Sequence, residues 1–505
     1  MSQTENQDAI PAEQVPFGAA TTVAFGVLAV AASDYLLFVQ RPGINLFIWT
    51  LVVAACIVGS CGRSVGPQRL FWPAAGVLVA ALPLVEAPSL PGWLSALFGL
   101  SILALACGDL LPGRLTGLPE ILLRYGLLAP VRLLQDVARA FRSQWWVGVM
   151  PRAMQGIVVW LVPVLFGIVF LSLFGMANPV IEQTLRRFTP ETALALLDPG
   201  RMFFWLFAAA LVWPLLAPRL LRRSQLAAVT SKPAEQKASV LFGEAAITRS
   251  LIVFNALFAV QTLLDVAYLW GGMALPEGMT YAEYAHRGAY PLVATALLAA
   301  GFVLAAMREG GPGEKSGLIR VLVYAWIGQN VLLCLSSMLR LKLYVETYLL
   351  TEMRIAAGLW MALVALGLIL ILVRILQHRS NAWLVTANLT ALGIVLYVCA
   401  FVDFAAVIAR YNVEQSAELG GGGVALDLDY VWRLGPDAIP ALDVYIARVE
   451  GAEARMEAAR TRAHLATSFA RRSDGWRGWS FRDARLQDYL LQHPQVATSP
   501  QSDNN

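Results

Sequence analysis

The 505-residue chain is 58% hydrophobic and 14% charged, with a mean hydropathy of +0.61 and a formal net charge of +4. A soluble domain could not solvate that balance, which excludes soluble classes and indicates a polytopic membrane protein; no nucleic-acid partner is expected.

Apolar runs of about 20 residues, enough to cross about 30 Å of hydrocarbon, stand at 17–38, 44–61, 70–85, 93–110, 155–175, 202–221, 246–270, 287–307, 318–339, 355–376 and 383–405. The expected fold is all-α, with about eleven transmembrane helices. The run at 70–85 is short and contains Pro73 and Pro83, so a tilted or re-entrant segment is the alternative there.

Lys and Arg near span ends favour the cytoplasm. Residues 111–153 carry Arg114, Arg124, Arg132, Arg139, Arg142 and Arg152, and residues 219–245 carry Arg219, Arg222, Arg223, Lys232 and Lys237. Counting from either loop predicts a cytoplasmic N-terminus, an external Ser336–Arg354 segment and an extracytoplasmic C-terminus in a bacterial inner membrane. Residues 1–16 lack a basic region, so no cleaved signal peptide is expected. The five cysteines fall in or beside spans, and no metal-type Cys/His spacing occurs; neither disulfides nor a cofactor are expected.

After a cytoplasmic tail (1–16) and helices 1–4 (17–110) comes the cytoplasmic segment 111–153. Within it, residues 118–144 interleave Arg124, Arg132, Gln135, Arg139 and Arg142 with apolar residues at helical spacing. This predicts an amphipathic helix, broken near Pro130, lying against anionic lipid headgroups. Helices 5–11 occupy 154–410, with an external loop at 177–201 whose Thr189-Pro190-Glu191 fits a helix start. Gly420–Gly423 marks a linker spanning 411–426, and residues 427–494 read as a small α-helical extracytoplasmic domain before a disordered tail, 495–505. In that domain a short helix at 427–432, a turn at Leu434-Gly435-Pro436, a long helix over 437–472 and a last helix over 481–492, opened by Ser480 and Asp483, are expected. Such a domain is too small to bury a large core alone, so it should dock on the membrane part or on an envelope protein partner.

Ordered by depth, the charges converge on the outer leaflet. Asp34, Asp265 and Asp403 lie near outer span ends, and Arg340, Glu346, Glu352 and Arg354 lie at the same side. The segment Ser336–Arg354 lies between two apolar runs with no Gly from 329 to 357 and no Pro from 313 to 435, so its reversal is expected to be helical. Carboxylates beside hydrocarbon are unfavourable unless paired or hydrated. Two readings follow: ion pairs of the aspartates with Arg340, Arg354 or Arg410 that fix packing, or an outward-facing polar cavity for a solute, a headgroup or the C-terminal domain. Gln261 with Asp265, and Ser336 with Arg340, share helix faces.

Enzymatic chemistry finds little footing. No phosphate loop and no nucleophile grouping occurs, and there are only four histidines. A glycosyltransferase acting on lipid-linked sugar would place acidic residues in a long first external loop, here only Val39–Gly43. A non-enzymatic sensing, scaffolding or interaction protein leads, with a transporter or lipid-handling protein and a membrane transferase as alternatives.

Three stretches carry a family resemblance: Ser33-Asp34-Tyr35-Leu36 running to Gln40-Arg41-Pro42-Gly43-Ile44; Tyr281-x-x-Tyr284-Ala285-x-x-Gly288 after Tyr268-Leu269-Trp270-Gly271-Gly272; and Arg340-x-x-x-Tyr344 leading to Leu350-Thr351-x-x-Arg354. Asp427-Leu428-Asp429-Tyr430 with Asp437-Ala438-Ile439-Pro440 adds a fourth. The chain resembles, over most of its length, a bacterial family of polytopic membrane proteins called "domain of unknown function 4173", which implies no activity. Where that family tends to have Gly, this chain has Leu349, which weighs against a tight turn.

Overall fold

The computed structural model describes residues 19–61, 67–142, 167, 198–220, 244–267, 316–472 and 475–494. Every regular element among them is helical. Seven of these helices are long and apolar enough to cross a membrane, and two more apolar helices are shorter. The expected spans at 155–175 and 287–307 lie outside the described residues, as do the tails and most of the 177–201 and 271–315 loops. The chain divides into two compact units, Met1–Thr230 with Asp474–Phe481, and Ser231–Ser473 with Arg482–Asn505.

In the first unit, α1 (Ala19–Leu37) and α2 (Ile44–Ser60) form an antiparallel pair. α3 (Pro67–Ala81) and α4 (Pro83–Glu86) follow almost without interruption, because Leu82 is helical and Pro83 occupies a first-turn position where its missing N–H costs nothing. Together, Gln68–Glu86 is long enough to cross. α5 (Leu90–Cys107) packs closely on α3, where Gly99 faces Ala80 and the Ser95 hydroxyl donates to the Ala80 carbonyl at 2.8 Å. α7 (Pro199–Leu216) runs antiparallel to α1, since Arg201 meets Asp34 at one end and Trp213 lies by Gly26 at the other. Trp49, Val53, Ile57, Leu100, Leu103 and Val212 form the core of these helices.

α6 (Leu118–Arg142) is one helix through Pro130, not the broken one expected. The carbonyl that the proline ring crowds belongs to Gly126, the residue type that yields most easily. Its Arg132 is buried rather than turned to headgroups: Nη2 lies 2.7 Å from Asp136, and Nε donates to the Ala217 carbonyl at 3.3 Å. That carbonyl is an orphan of the α7 C-terminus, where a cation is electrostatically favoured. Asp136 also accepts from Trp213 Nε1 at 3.0 Å. The outward stripe of α6 is apolar: Leu123, Leu127, Val131, Leu134 and Val137.

In the second unit, α8 (Glu244–Asp265), α9 (Gly317–Tyr348), α10 (Glu352–Leu376) and α11 (Asn381–Cys399) share a core that includes Leu251, Val323, Trp326, Leu368 and Leu384. α8 and α9 are parallel, because Asn255 bonds the Leu322 carbonyl and Phe258 meets Trp326 one turn further along both helices. α9 has 32 residues, so it continues well past the expected span end at 339. α11 stops at Cys399, and α12 (Phe404–Gln415) starts afresh on an Asp403 cap.

α12 shares a core with α13 (Leu428–Leu434), α14 (Ile439–Arg448), α15 (Ala452–Ala470) and α16 (Phe481–Gln492), through Ala409, Val413, Val431, Leu442, Tyr445 and Leu465. Thus part of the expected 411–426 linker is helix. The glycines that follow are folded in as well: the Gly423 N–H donates to the Gln415 carbonyl at 3.0 Å, and a Cβ on Gly423 would come 2.6 Å from Leu349. The long helix expected over 437–472 is two helices, interrupted from Val449 to Gly451.

Candidate functional site

The motif around Asp34 builds one fastener, in the first unit. Ser33 accepts from Trp49 Nε1 at 2.7 Å, pinning α1 to α2. One turn from the end of α1, the Asp34 carboxylate takes Arg201 in a bidentate pair, with Nε 2.7 Å from Oδ1 and Nη2 on Oδ2, and takes Trp205 Nε1 at 2.9 Å. The guanidinium lies 5.5 Å from the Phe38 ring and 5.7 Å from the Trp205 ring. A bidentate, aromatic-flanked pair of this kind fixes geometry and suits a partly desolvated site.

The α1–α2 turn is organised by Asn45, whose Oδ1 accepts the Gly43 N–H at 2.8 Å while Nδ2 donates to the Leu36 carbonyl at 2.8 Å. On this turn sits the segment 475–481. The Ile44 N–H donates to the Trp479 carbonyl at 2.7 Å, and the Arg477 guanidinium stacks 4.2 Å over Tyr35. Gly43 is required there, because a Cβ would collide with the Gly478 backbone.

A second fastener forms in the other unit at the end of α9. The reversal is not helical as expected: it is a tight break at residues 349–351 with Leu349 at φ 65°. Arg354 makes it possible, donating from Nη1 to the Tyr348 carbonyl at 2.6 Å and to the Leu349 carbonyl, while stacking 4.5 Å over Tyr344. Thr351 caps α10 by accepting the Arg354 N–H at 3.4 Å. Asn412 of α12 reaches in, accepting from the Leu350 N–H at 2.7 Å and donating to the Leu350 carbonyl at 3.0 Å. The Glu352 N–H bonds the Tyr430 hydroxyl at 3.0 Å, and the Val424 N–H bonds the Thr347 carbonyl at 3.2 Å. These bonds satisfy backbone groups that a non-helical break leaves open.

Two of the remaining expected cluster members have other partners. Glu346 lies 3.6 Å from Lys342 on the exposed side of α9. Asp403 accepts from the Ala406 N–H at 3.0 Å and lies 3.7 Å from Arg482. Arg340 is buried in α9, and the Asp265 side chain lies outside the described residues. The expected pairings of Asp34 and Asp403 with Arg340, Arg354 or Arg410 are therefore replaced by Arg201 and Arg482, while Arg410 pairs with Glu414 at 2.9 Å. Arg201 ends the expected 177–201 loop, and the signal beside it is the Phe203-Phe204-Trp205 run that follows.

Beside Asp403, Asp437 is the perturbed group. Its pKa is pushed up to about 6, first by burial and then by the Asp403 charge, with Asp483 adding to the rise and Arg482 and Arg472 opposing it. Among the described residues no three His, Cys, Asp or Glu side chains stand together as metal ligands would. Bidentate pairs, caps and backbone clamps of this kind set geometry.

A family model described as "Domain of unknown function (DUF4153)" matches residues 74–445. The resemblance to the family numbered 4173 is thus corrected in its number. The matched stretch contains the Arg340–Arg354 pattern and excludes Ser33–Ile44. No curated protein and no solved structure matches the chain.

Proposed function

Because the chain belongs to the family described as a domain of unknown function, DUF4153, whose name assigns no activity, we propose a role from its own geometry: a non-enzymatic interaction or sensing protein of the bacterial inner membrane. Its C-terminal helices serve as a rigid extracytoplasmic platform for an envelope partner. The observation that carries this reading is the pair of hydrogen bonds between Asn412 and the Leu350 backbone, which ties α12, and through its core α13–α16, to the turn between two apolar helices. A loosely tethered domain would not need Gly423 packed against Leu349 of that turn.

The platform keeps Trp432, Val444 and Met456 exposed, as a docking surface would. The apolar stripe of α6 supports a place in the cytoplasmic interface, with anionic lipid expected around its basic residues. The test uses truncation after Gly423. If the platform is the working part, truncation abolishes the deletion-strain complementation and the partner cross-link, while Asp34→Asn reduces activity only in proportion to protein abundance. Normal abundance with lost activity in Asp34→Asn or Glu346→Gln would instead favour a solute or lipid site.

A further inference from the structure

α9 carries a polar face of which the fasteners use only Tyr344, at its outer end. Trp326, Asn330, Ser337, Arg340 and Tyr344 recur at intervals of four, seven, three and four, which places them in one line along the helix. Trp326 and Asn330 are 0% exposed, and Ser337 and Arg340 are 1% and 2% exposed.

This line holds orphaned polar atoms. Asn330 spends its Nδ2 on the Trp326 carbonyl at 2.8 Å, and among the described residues its Oδ1 has no hydrogen-bond partner. Trp326 Nε1 has none either, nor do Gln329 Oε1 on the flank and Asn255 Oδ1 on the facing α8. Asn255 is held at this level by its bond to the Leu322 carbonyl at 3.0 Å. Buried polar groups in native proteins are nearly always satisfied, and the demand is stricter at membrane depth. From Arg340 down to Asn330 the helix descends about 15 Å, half of the about 30 Å hydrocarbon thickness.

The chemistry of the orphans selects the guest. Three carboxamide oxygens need donors and one indole N–H needs an acceptor, and a hydroxyl group supplies both. Between Arg320 and Arg340 on α9, and between Arg249 and Asp265 on α8, there is no Asp, Glu, Lys, Arg or His. Neither an anion nor a cation would find a counter-charge on these stretches of α8 and α9.

We propose that this face of α9 lines a hydrated path, entered from the Arg340 end, that admits water and small neutral hydroxylic solutes to the middle of the membrane. The path stands apart from the platform reading above, except that entry from the extracytoplasmic side rests on the same topology.

The test is thiol accessibility in sealed vesicles of both orientations, on a Cys334→Ala background with the parent chain as blank. Ser337→Cys, a one-atom exchange, and Asn330→Cys are treated with the neutral 2-hydroxyethyl methanethiosulfonate and with its trimethylammonium-ethyl analogue. Exposed Glu346→Cys and lipid-facing Leu335→Cys set the two limits. The expected result is Ser337→Cys modified by the neutral reagent within about tenfold of the Glu346→Cys rate, with the cationic reagent slowed at least tenfold more. Excess glycerol should slow the reaction at Asn330→Cys. A Ser337→Cys rate no faster than Leu335→Cys overturns the path, and Ser337→Cys decides alone if Asn330→Cys does not accumulate. Modification by the cationic reagent only in inverted vesicles overturns the side of entry. A rate unaffected by glycerol overturns the solute part.

Discussion

At Leu349 the backbone adopts φ 65° and ψ 177°, a region that in practice belongs to glycine and costs a side-chain-bearing residue about 1–3 kcal/mol. The chain tolerates it because Arg354, Asn412 and the buried Leu349 side chain all act on the same three residues. An unusual order of stability follows. In an ordinary position glycine is less stable than alanine by about 0.5–1 kcal/mol, whereas here Leu349→Gly should exceed Leu349→Ala by about 1 kcal/mol, since both lose the leucine packing and only alanine retains the strain. Thermal unfolding of the two variants in detergent decides it, and alanine above glycine would refute the strained turn. The partner residue gives a second expectation. Asn412 is 3% exposed, and Asn412→Ala leaves two backbone groups of Leu350 unbonded at roughly 1–3 kcal/mol each. A variant as stable as the parent would mean that water substitutes freely and that the turn is not clamped. None of this was legible beforehand. Leu349 stood where a breaker is expected, and a single asparagine at 412 carries no local signal of a bond 62 residues away.

Among the elements, those whose cause is local were legible and those whose cause is a distant partner were not. Ser380 and Thr351 cap α11 and α10 with their own side chains, Pro83 opens α4, and Asp427 caps α13, so these starts could be read from a few neighbouring residues. The Arg201 pair with Asp34 crosses 167 residues, and α6 turned Arg132 inward only because α7 presents an open carbonyl there. The join between α12, α14 and α16 shows how such placement sets pH dependence. The Asp437 pKa is pushed up to about 6 in the fold, above the ordinary carboxylate value of about 3.9, so the fold favours its protonated form. The advantage is complete below about pH 4, fades as pH rises through 6, and above that leaves the ionised group a net cost of up to about 3 kcal/mol at 1.36 kcal/mol per unit. Asp437→Asn should therefore raise the melting temperature at pH 7.5, leave it nearly unchanged at pH 4, and flatten the profile between. A variant with the parent's slope over pH 4–6 would place that titration elsewhere.

For the whole molecule, the directions of packed helices bear on how many times the chain crosses the bilayer. In the first unit α7 is antiparallel to α1 and parallel to α2, whose Ser60 hydroxyl reaches the Leu216 carbonyl at 3.4 Å. α5 follows α2 by two crossings and so shares its direction, which makes an odd number of crossings between α5 and α7 necessary for alternation. The apolar run at 155–175 supplies one. In the second unit α8 and α9 are parallel, which again demands an odd number between them, and the run at 287–307 supplies it. Hydropathy marks those runs as candidates, and helix direction, invisible to hydropathy, leads to the expectation of one crossing in each interval. If both cross, the Arg-rich region after α7 is expected on the cytoplasmic side and the residues after α15 on the other, under the tendency of Lys and Arg to remain inside. Reporter fusions at Ser231 and Ser473 should then read cytoplasm and exterior respectively. Both on one side would break the alternation at 287–307, the run that lies between the two fusions, and a fusion at Ser316, just before α9, checks it: cytoplasmic if 287–307 crosses, exterior if it does not.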